Sequence, residues 1–459
     1  MIQKLFKPID NSVLIIFRIF FGIVFLFESI GALLTGWVTS NLVSPQLNFT
    51  FIGFEWLLPL MGNYMYVHFV LMAIAALGVT LGYKYRWSIV ALTLIWGSVY
   101  FMQKTSYNNH YYLMWLICVI MCFLPANRYA SIDVKKQPGI KAYAMPQWIS
   151  WMFIFQISCV YIFATIAKFY PDWLNATVTE NMFIAMKSPD FIKPLFHSQK
   201  FHYFIAYSGI AFDGLIIPAL LWRRTRWFAI IASFCFHLFN SITLGIGVFP
   251  YFALCFSIFF FKPEDIKRYL LRKKPILTPE LATVNYNEYR GIFFGFFVPY
   301  LALQTLLPFR HWLIKGDVLW TEEGHRLSWR MMLRSRTGVA HFRVFDKKTK
   351  ERLAFDNMEL LSEKQNMRLN TPDMIWQMAQ FIQQHFAKEG RDVAVYVGSS
   401  NVSINNRTGK RLIDPEVDLT EVKWDHFKHH DWILDENDPK WNVPNKQISP
   451  ILLLPIHQK

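Results

Sequence analysis

The chain has 459 residues, 53% of them hydrophobic, with 43 Phe, 17 Trp and a positive mean hydropathy, a composition too apolar for an ordinary soluble domain. The formal charge of +15 falls mainly in short loops between apolar runs, which excludes a nucleic-acid-binding reading. All five cysteines (Cys118, Cys122, Cys159, Cys235, Cys255) lie inside apolar runs, which argues against a disulfide framework or a zinc site.

The first apolar run is too long for a signal peptide and lacks a small-residue cleavage site. Runs long enough to cross a bilayer are predicted at 12–36, 64–82, 87–103, 110–125, 148–167, 202–222, 227–245, 249–261 and 291–309, giving about nine spans. The eighth is short, so a tilt or a partly buried turn after the seventh is expected there. Lys and Arg then orient the chain. Lys4 and Lys7, "YKYRW" (83–87), the loop 127–141, "RRTR" (223–226) and "KPEDIKRYLLRKK" (262–274) are basic, whereas 38–63 has neither Lys nor Arg. This alternation puts the amino terminus in the cytoplasm and the tail on the far side, periplasmic or lumenal.

The expected architecture is a polytopic α-helical membrane domain, 1–310, followed by an extramembrane α+β domain, 311–459. Within the tail, "GVAHFRVFDKKTKERLAF" alternates around a polar turn and predicts a hairpin. "NTPDMIWQMAQFIQQHFAKEG" carries a helical stripe at 375, 378, 382 and 386. "DVAVYVGSSNVSINNRTGKRLIDP" reads as a second strand pair.

Ionisable groups inside spans are costly and need partners. Arg18, Glu28 and Asp213 read as interhelical pairing. Near the far face, Asn109 and His110 open the fourth span, Lys168 closes the fifth, and His237 and Asn240 precede "GIGVFPYF". Loops three, five and seven thus gather polar groups on the side of the tail, expected as a roof over a composite site. A lysine at a span end ordinarily snorkels to headgroups; in a dry pocket it becomes a competent base. The tail arginines Arg334, Arg336, Arg407 and Arg411 suit paired hydrogen bonds to a carboxylate. "DHFKHHDW" (425–432) offers three histidines, read as a solvated turn with no metal bound.

The segments "KTSYNNHYYL", "ATIAKFYPDW", "FHLFNSITLGIGVFPYF", "LQTLLPFRHWL", "LSWRMMLRSR" and "RLIDPEVDL" occur in an order that resembles the vitamin K-dependent γ-glutamyl carboxylases and their microbial HTTM-domain homologues. The resemblance runs from about residue 10 to residue 435. It implies a lysine, here Lys168, that deprotonates vitamin K hydroquinone; the carbanion reacts with O2 and rearranges to an alkoxide on the way to the epoxide. That alkoxide removes a glutamate γ-proton, and CO2 adds to the resulting carbanion. The resemblance further implies Asn109 and His110 beside the quinone, His110 also acting in catalysis, and Ile246 with Phe249 as its floor. The four arginines would hold a glutamate-bearing peptide or protein. The chain ends soon after "IDPEVD" and lacks the cysteines of the family's disulfide. The expectation is therefore a bacterial inner-membrane protein that uses vitamin K hydroquinone or menaquinol, with a substrate other than a propeptide-tethered one. Two other readings stay open: a quinol epoxidase or oxidoreductase that never carboxylates, and a non-enzymatic membrane binding protein.

Overall fold

A computed structural model describes residues 2–186, 188–245 and 247–438. Helices occupy the predicted apolar segments: α1 (Ser12–Leu34), α2 (Tyr64–Leu81), α3 (Tyr85–Met102), α4 (Asn109–Phe123), α5 (Trp148–Ala167), α6 (Gln199–Leu221), α7 (Arg226–Thr243), α8 (Phe249–Cys255, continued as a 3-10 turn Phe256–Phe260) and α9 (Tyr286–Trp312, with an internal π-turn). Five of them, α1, α2, α5, α6 and α9, are long and apolar enough to cross a membrane. The protein is thus a polytopic helical membrane protein, with a strand-containing domain following the helices.

Helices α1 to α4 pack in sequence, as do α5 to α8, and α8 returns onto α1. Aromatic rings close the seam between the two groups. Phe17 of α1 lies 4.7 Å from Phe153 of α5 and 5.0 Å from Phe259, and Phe153 stacks on Phe259 at 4.3 Å. Between apolar helices in lipid, such packing replaces the hydrophobic driving force. Gly22 serves the same end, because a Cβ there would lie 2.3 Å from Thr80 Oγ1 and 2.7 Å from its backbone nitrogen.

On one face, buried charges tie basic loops to helix ends. Arg18 does not pair with another helix's charge; it donates to the carbonyls of Ala126 (3.1 Å) and Ala130 (2.6 Å). Lys274 donates to Asp10 (2.5 Å), Ser12 and the Tyr143 carbonyl. Nearby, β1 (Pro8–Asp10) pairs antiparallel with β2 (Ala144–Pro146). Asp133 accepts from the backbone amides of Lys84 and Tyr85 and so caps α3. Glu28 hydrogen-bonds the Tyr111 hydroxyl.

The domain after α9 holds two three-stranded sheets. One has the order β3 (Arg336–Gly338), β7 (Asn401–Ile404), β8 (Lys410–Arg411); the other, β5 (Arg352–Leu353), β4 (His341–Asp346), β6 (Val393–Ser399). The predicted β4–β5 hairpin is present, with Val344 opposite Leu353. The second predicted segment holds a strand pair, β7 with β8, and one further strand, β6. Strand β6 joins the hairpin through β4, whereas β7 leaves it at Ser400 and pairs with β3 and β8. Alternation specifies a strand but not its neighbour. Helix α10 (Pro372–Ala387) packs on β6 and buries Ile375, Met378, Ile382 and Phe386, the predicted stripe.

This domain covers the other face of the helices. Phe49 of the first loop is buried in the domain's own core with Trp320, Ile375 and Val395. Gln365 donates to the Leu47 carbonyl at 2.6 Å, Lys104 of the third loop pairs with Asp373, and Asp172 of the fifth pairs with Arg407. The roof therefore rests on loops one, three and five. The seventh loop meets α4 instead, through Phe249 and His110.

Candidate functional site

Two of the polar residues expected at the site, His110 and His237, meet one aromatic ring, that of Phe249. Asn108 caps α4, its side chain accepting the Tyr111 amide at 2.8 Å, which fixes Asn109 and His110 in the first turn. The His110 ring lies 5.5 Å from Phe249, and His237 of α7 approaches the same ring at 5.8 Å. Continuing outward, Phe212 of α6 sits 5.8 Å from His237 and 5.9 Å from Tyr161 of α5. The Tyr161 hydroxyl meets His237 Nε2 at 3.1 Å. Ile246, the other expected floor residue, lies outside the described residues.

Lys168 ends this belt. It is the residue just after α5, seven positions from Tyr161 and so on the same helical face. Its ammonium is buried and donates to Asp213 of α6 at 2.6 Å and to the Ala164 carbonyl at 3.3 Å. Trp173 lies 5.2 Å below it in a cation–π contact. The sequence expectation of a lone amine drying at a span end is thus replaced by a buried ion pair. Asp213, one residue beyond Phe212, is the partner that sequence reasoning assigned to helix packing.

Asn109 is bonded within the protein on both sides. Its Nδ2 donates to the Arg330 carbonyl at 3.1 Å, and its Oδ1 accepts from the Tyr107 hydroxyl at 3.0 Å. His110 carries ring contacts to Tyr111 and Phe249. Buried His237 Nδ1 has no hydrogen-bond partner among the described residues. A buried polar group left unpaired costs about 1–3 kcal/mol, so this edge of the belt favours a ligand with its own donor or acceptor.

The four tail arginines do not share one surface. Arg334 and Arg336 both face Glu322, and Arg336 also donates to the carbonyls of Leu319, Trp320 and Asn370. Arg407 lies in a turn and pairs with Asp172 and Glu436. Arg411 is buried on β8, close to Arg343. Only Arg334 and Arg407 keep 14% and 45% of their side chains exposed with a carboxylate already in hand.

The histidine segment is a correction as well. His430 is buried, not solvated, and Glu323 bridges the two rings, with Nδ1 of His429 at 2.6 Å and of His430 at 2.7 Å. The Asp425 amide donates to His430 Nε2, which leaves Nδ1 to donate to Glu323. Among the described residues no cluster of metal-ligating groups is found.

Sequence reasoning also missed the segment that joins the two halves. Residues 322–333 run in a strained path, with left-handed φ at Glu322 (+62°), Leu327 (+63°), Trp329 (+56°) and Met332 (+52°). Gly324 (φ +75°) is required, since a Cβ would lie 2.8 Å from His311 Cβ and 2.9 Å from its Cα. Nothing in periodicity foretells such a path; only the density of Arg, Ser and Trp in "RLSWRMMLRSR" hints at it.

A family model described as the HTTM domain matches residues 6–264, which is more than half of the chain. A second, the vitamin K-dependent gamma-carboxylase lumenal domain, matches residues 289–439. No solved structure matches the chain. The second model contains the strained segment, and together the two take in both the helices around Phe249 and the strand domain above them, so the chain belongs to the HTTM-domain, vitamin K-dependent γ-carboxylase family.

Proposed function

We propose that the protein is a γ-glutamyl carboxylase that couples O2-dependent epoxidation of vitamin K hydroquinone, or of a menaquinol, to addition of CO2 at a peptide glutamate. The observation that carries this reading is the buried Lys168–Asp213 pair at the end of an aromatic belt that leads to His110. A glutamate γ-proton is too weakly acidic for any side chain to remove, so the quinol's reaction with O2 supplies the strong base, away from water.

The chain's own residues bind and prepare the quinol. Phe249, with Ile246 beside it in sequence, offers the ring a face; His110 orients one oxygen, and Asn109 fixes the turn that holds His110. His237 Nδ1, buried and unpartnered, would meet a second oxygen. Lys168 takes the quinol proton, and Asp213 holds its side chain in place for that step. Arg334, whose carboxylate partner Glu322 a peptide glutamate would displace, holds the substrate, and Arg336 faces the same carboxylate. The helices form nine spans, with residues 1–310 in the membrane, the amino terminus cytoplasmic and residues 311–459 periplasmic.

The test incubates the protein with quinol, labelled CO2 and a glutamate peptide, and measures epoxide and γ-carboxyglutamate together. Lys168→Ala should abolish both with quinol affinity largely kept, and Lys168→Arg should not restore them, because arginine stays protonated. Phe249→Ala should instead raise the quinol requirement. Epoxide without γ-carboxyglutamate in the wild type would select the epoxidase reading, and neither product would select a binding protein. Near-normal epoxidation by Lys168→Ala would sink the assignment of the base.

A further inference from the structure

Two hydrogen bonds from opposite ends of the aromatic belt finish on one stretch of backbone. Asn109, directly before His110, donates to the Arg330 carbonyl at 3.1 Å. Tyr170, two residues after Lys168, donates its hydroxyl to the Leu333 carbonyl. Between them, the Leu327 amide donates to the Tyr107 hydroxyl at 3.0 Å, and that hydroxyl in turn reaches Asn109. The stretch carrying these groups is the strained one, with positive φ at Leu327, Trp329 and Met332.

Strain of this kind persists only where the surroundings over-determine it, and they do. Trp329 is wholly buried, 4.9 Å from the Tyr112 ring of α4. Ser328 donates to the Gly324 carbonyl at 2.7 Å, and Arg326 pairs with Asp373 at 2.5 Å. On the lysine side α5 ends at Ala167, so Lys168 stands at the start of a turn, with the Tyr170 amide donating to the Lys168 carbonyl at 2.9 Å; the turn is held to α6 by Asp213 and to the strand domain by Arg407 on Asp172. An element fixed by its own core, and bonded to both flanks, sets the distance between those flanks.

We infer that residues 326–333 form a rigid strap that positions the His110 turn and the Lys168 turn relative to each other, with Asn109 and Tyr170 as positioning residues. The inference rests on the quinol reading for its catalytic consequence, but not for its structural one. An offset of about 1 Å between reacting groups costs up to roughly a hundredfold in rate. Loss of one anchor therefore acts on turnover, while the Phe249 face that binds the ring is untouched.

The test uses the full-length protein in detergent and the variant Tyr170→Phe, which deletes one donor and keeps the ring. Backbone hydrogen exchange should rise at 327–333 and also at 107–113, on the far side of the strap. Asn109→Ala should do the reverse, raising exchange at 167–173. In the epoxidation assay Tyr170→Phe should lower kcat by about tenfold or more and change the quinol KM less than about twofold. Tyr207→Phe is the control, since it removes a comparable bond to the same loop, from the Tyr207 hydroxyl to the Leu174 carbonyl at 3.3 Å, and should leave 107–113 unchanged. Exchange that rises only on the mutated side, or equally in the control, would overturn the strap. Lys168→Ala with normal epoxidation would instead remove the quinol reading and leave the exchange result standing.

Discussion

Asp373 is the acceptor on which the junction between the helices and the strand domain turns. It sits in the first turn of α10, and one oxygen accepts both from Lys104 of the third loop and from Arg326 of the strap, each at 2.5 Å. Lys104 and Asp373 keep only 1% and 9% of their side chains exposed. Burial works against the Asp373 charge, but Arg326 and Lys104 overcome it and hold the carboxyl well below the ordinary carboxylate range. Burial likewise opposes the Lys104 charge, and with one carboxylate shared between two cations it wins, pushing the amine down to about 8. The two ends of the cluster are therefore unequal. Asp373→Ala strands two buried cations and should cost about 3–5 kcal/mol, on the order of 10 °C in melting temperature for a unit of this size. Lys104→Met leaves Asp373 paired with Arg326 and should change stability by less than about 1 kcal/mol in either direction. Because the folded value of Lys104 lies below its unfolded 10.5, the unfolded chain binds the extra proton between about pH 8 and 10.5. Wild-type stability should therefore rise across that window by about 1.4 kcal/mol per pH unit at most, and the rise should vanish in Lys104→Met. Melting followed by tryptophan fluorescence at several pH values reads all three. Equal losses in the two variants, or an Asp373→Ala loss under about 1 kcal/mol, would refute the account of shared charge.

Three further outcomes are expected. The hydrogen bond and charge of Glu323 raise His429 above its ordinary 6.5, and against the effect of burial the two histidines lower Glu323. This contribution is complete below pH 6.5 on the His429 side, fades as pH rises through its raised folded value, and is lost in acid as Glu323 protonates; Glu323→Gln should flatten the melting profile above pH 6.5, and an unchanged profile would contradict it. Gly324→Ala should destabilise by about 1–3 kcal/mol through its left-handed φ and the clash with His311, whereas a neutral substitution would mean that the strap can shift. A cysteine at Glu389, exposed beyond α10, should react with an impermeant reagent from the side opposite the basic loops, and labelling from the basic side would reverse the topology.

Much of the fold was legible before any coordinates. Apolar run length located the helices, because lipid demands about 20 residues per crossing, and a period near 3.6 found the buried face of α10. Sequence also found the two ends of the belt, His110 and Lys168, since polar groups at span ends stand out against an apolar background. Five of the nine predicted segments have the length and apolarity of a span, and the rest are too short or too polar to be settled by those criteria.

What sequence determined by itself is therefore local: which segments are helical, which polar residues are out of place, and which segments follow the order of a known family. The tertiary structure decided partners. Asp213 for Lys168, the carbonyl of Arg330 for Asn109, and Glu322 for Arg334 and Arg336 are choices made across 45, 221 and about a dozen intervening positions. Strand β6 joining β4 rather than β7 is another. Hydrophobic periodicity is a property of one element and its own solvent exposure, whereas a hydrogen bond or ion pair depends on two elements whose relative placement is set by the packing of everything between them. For that reason Arg334, Arg336 and Arg407, read as suited to a substrate carboxylate, each face a carboxylate of the chain itself, and the stretch 326–333 is the one that touches both ends of the proposed site.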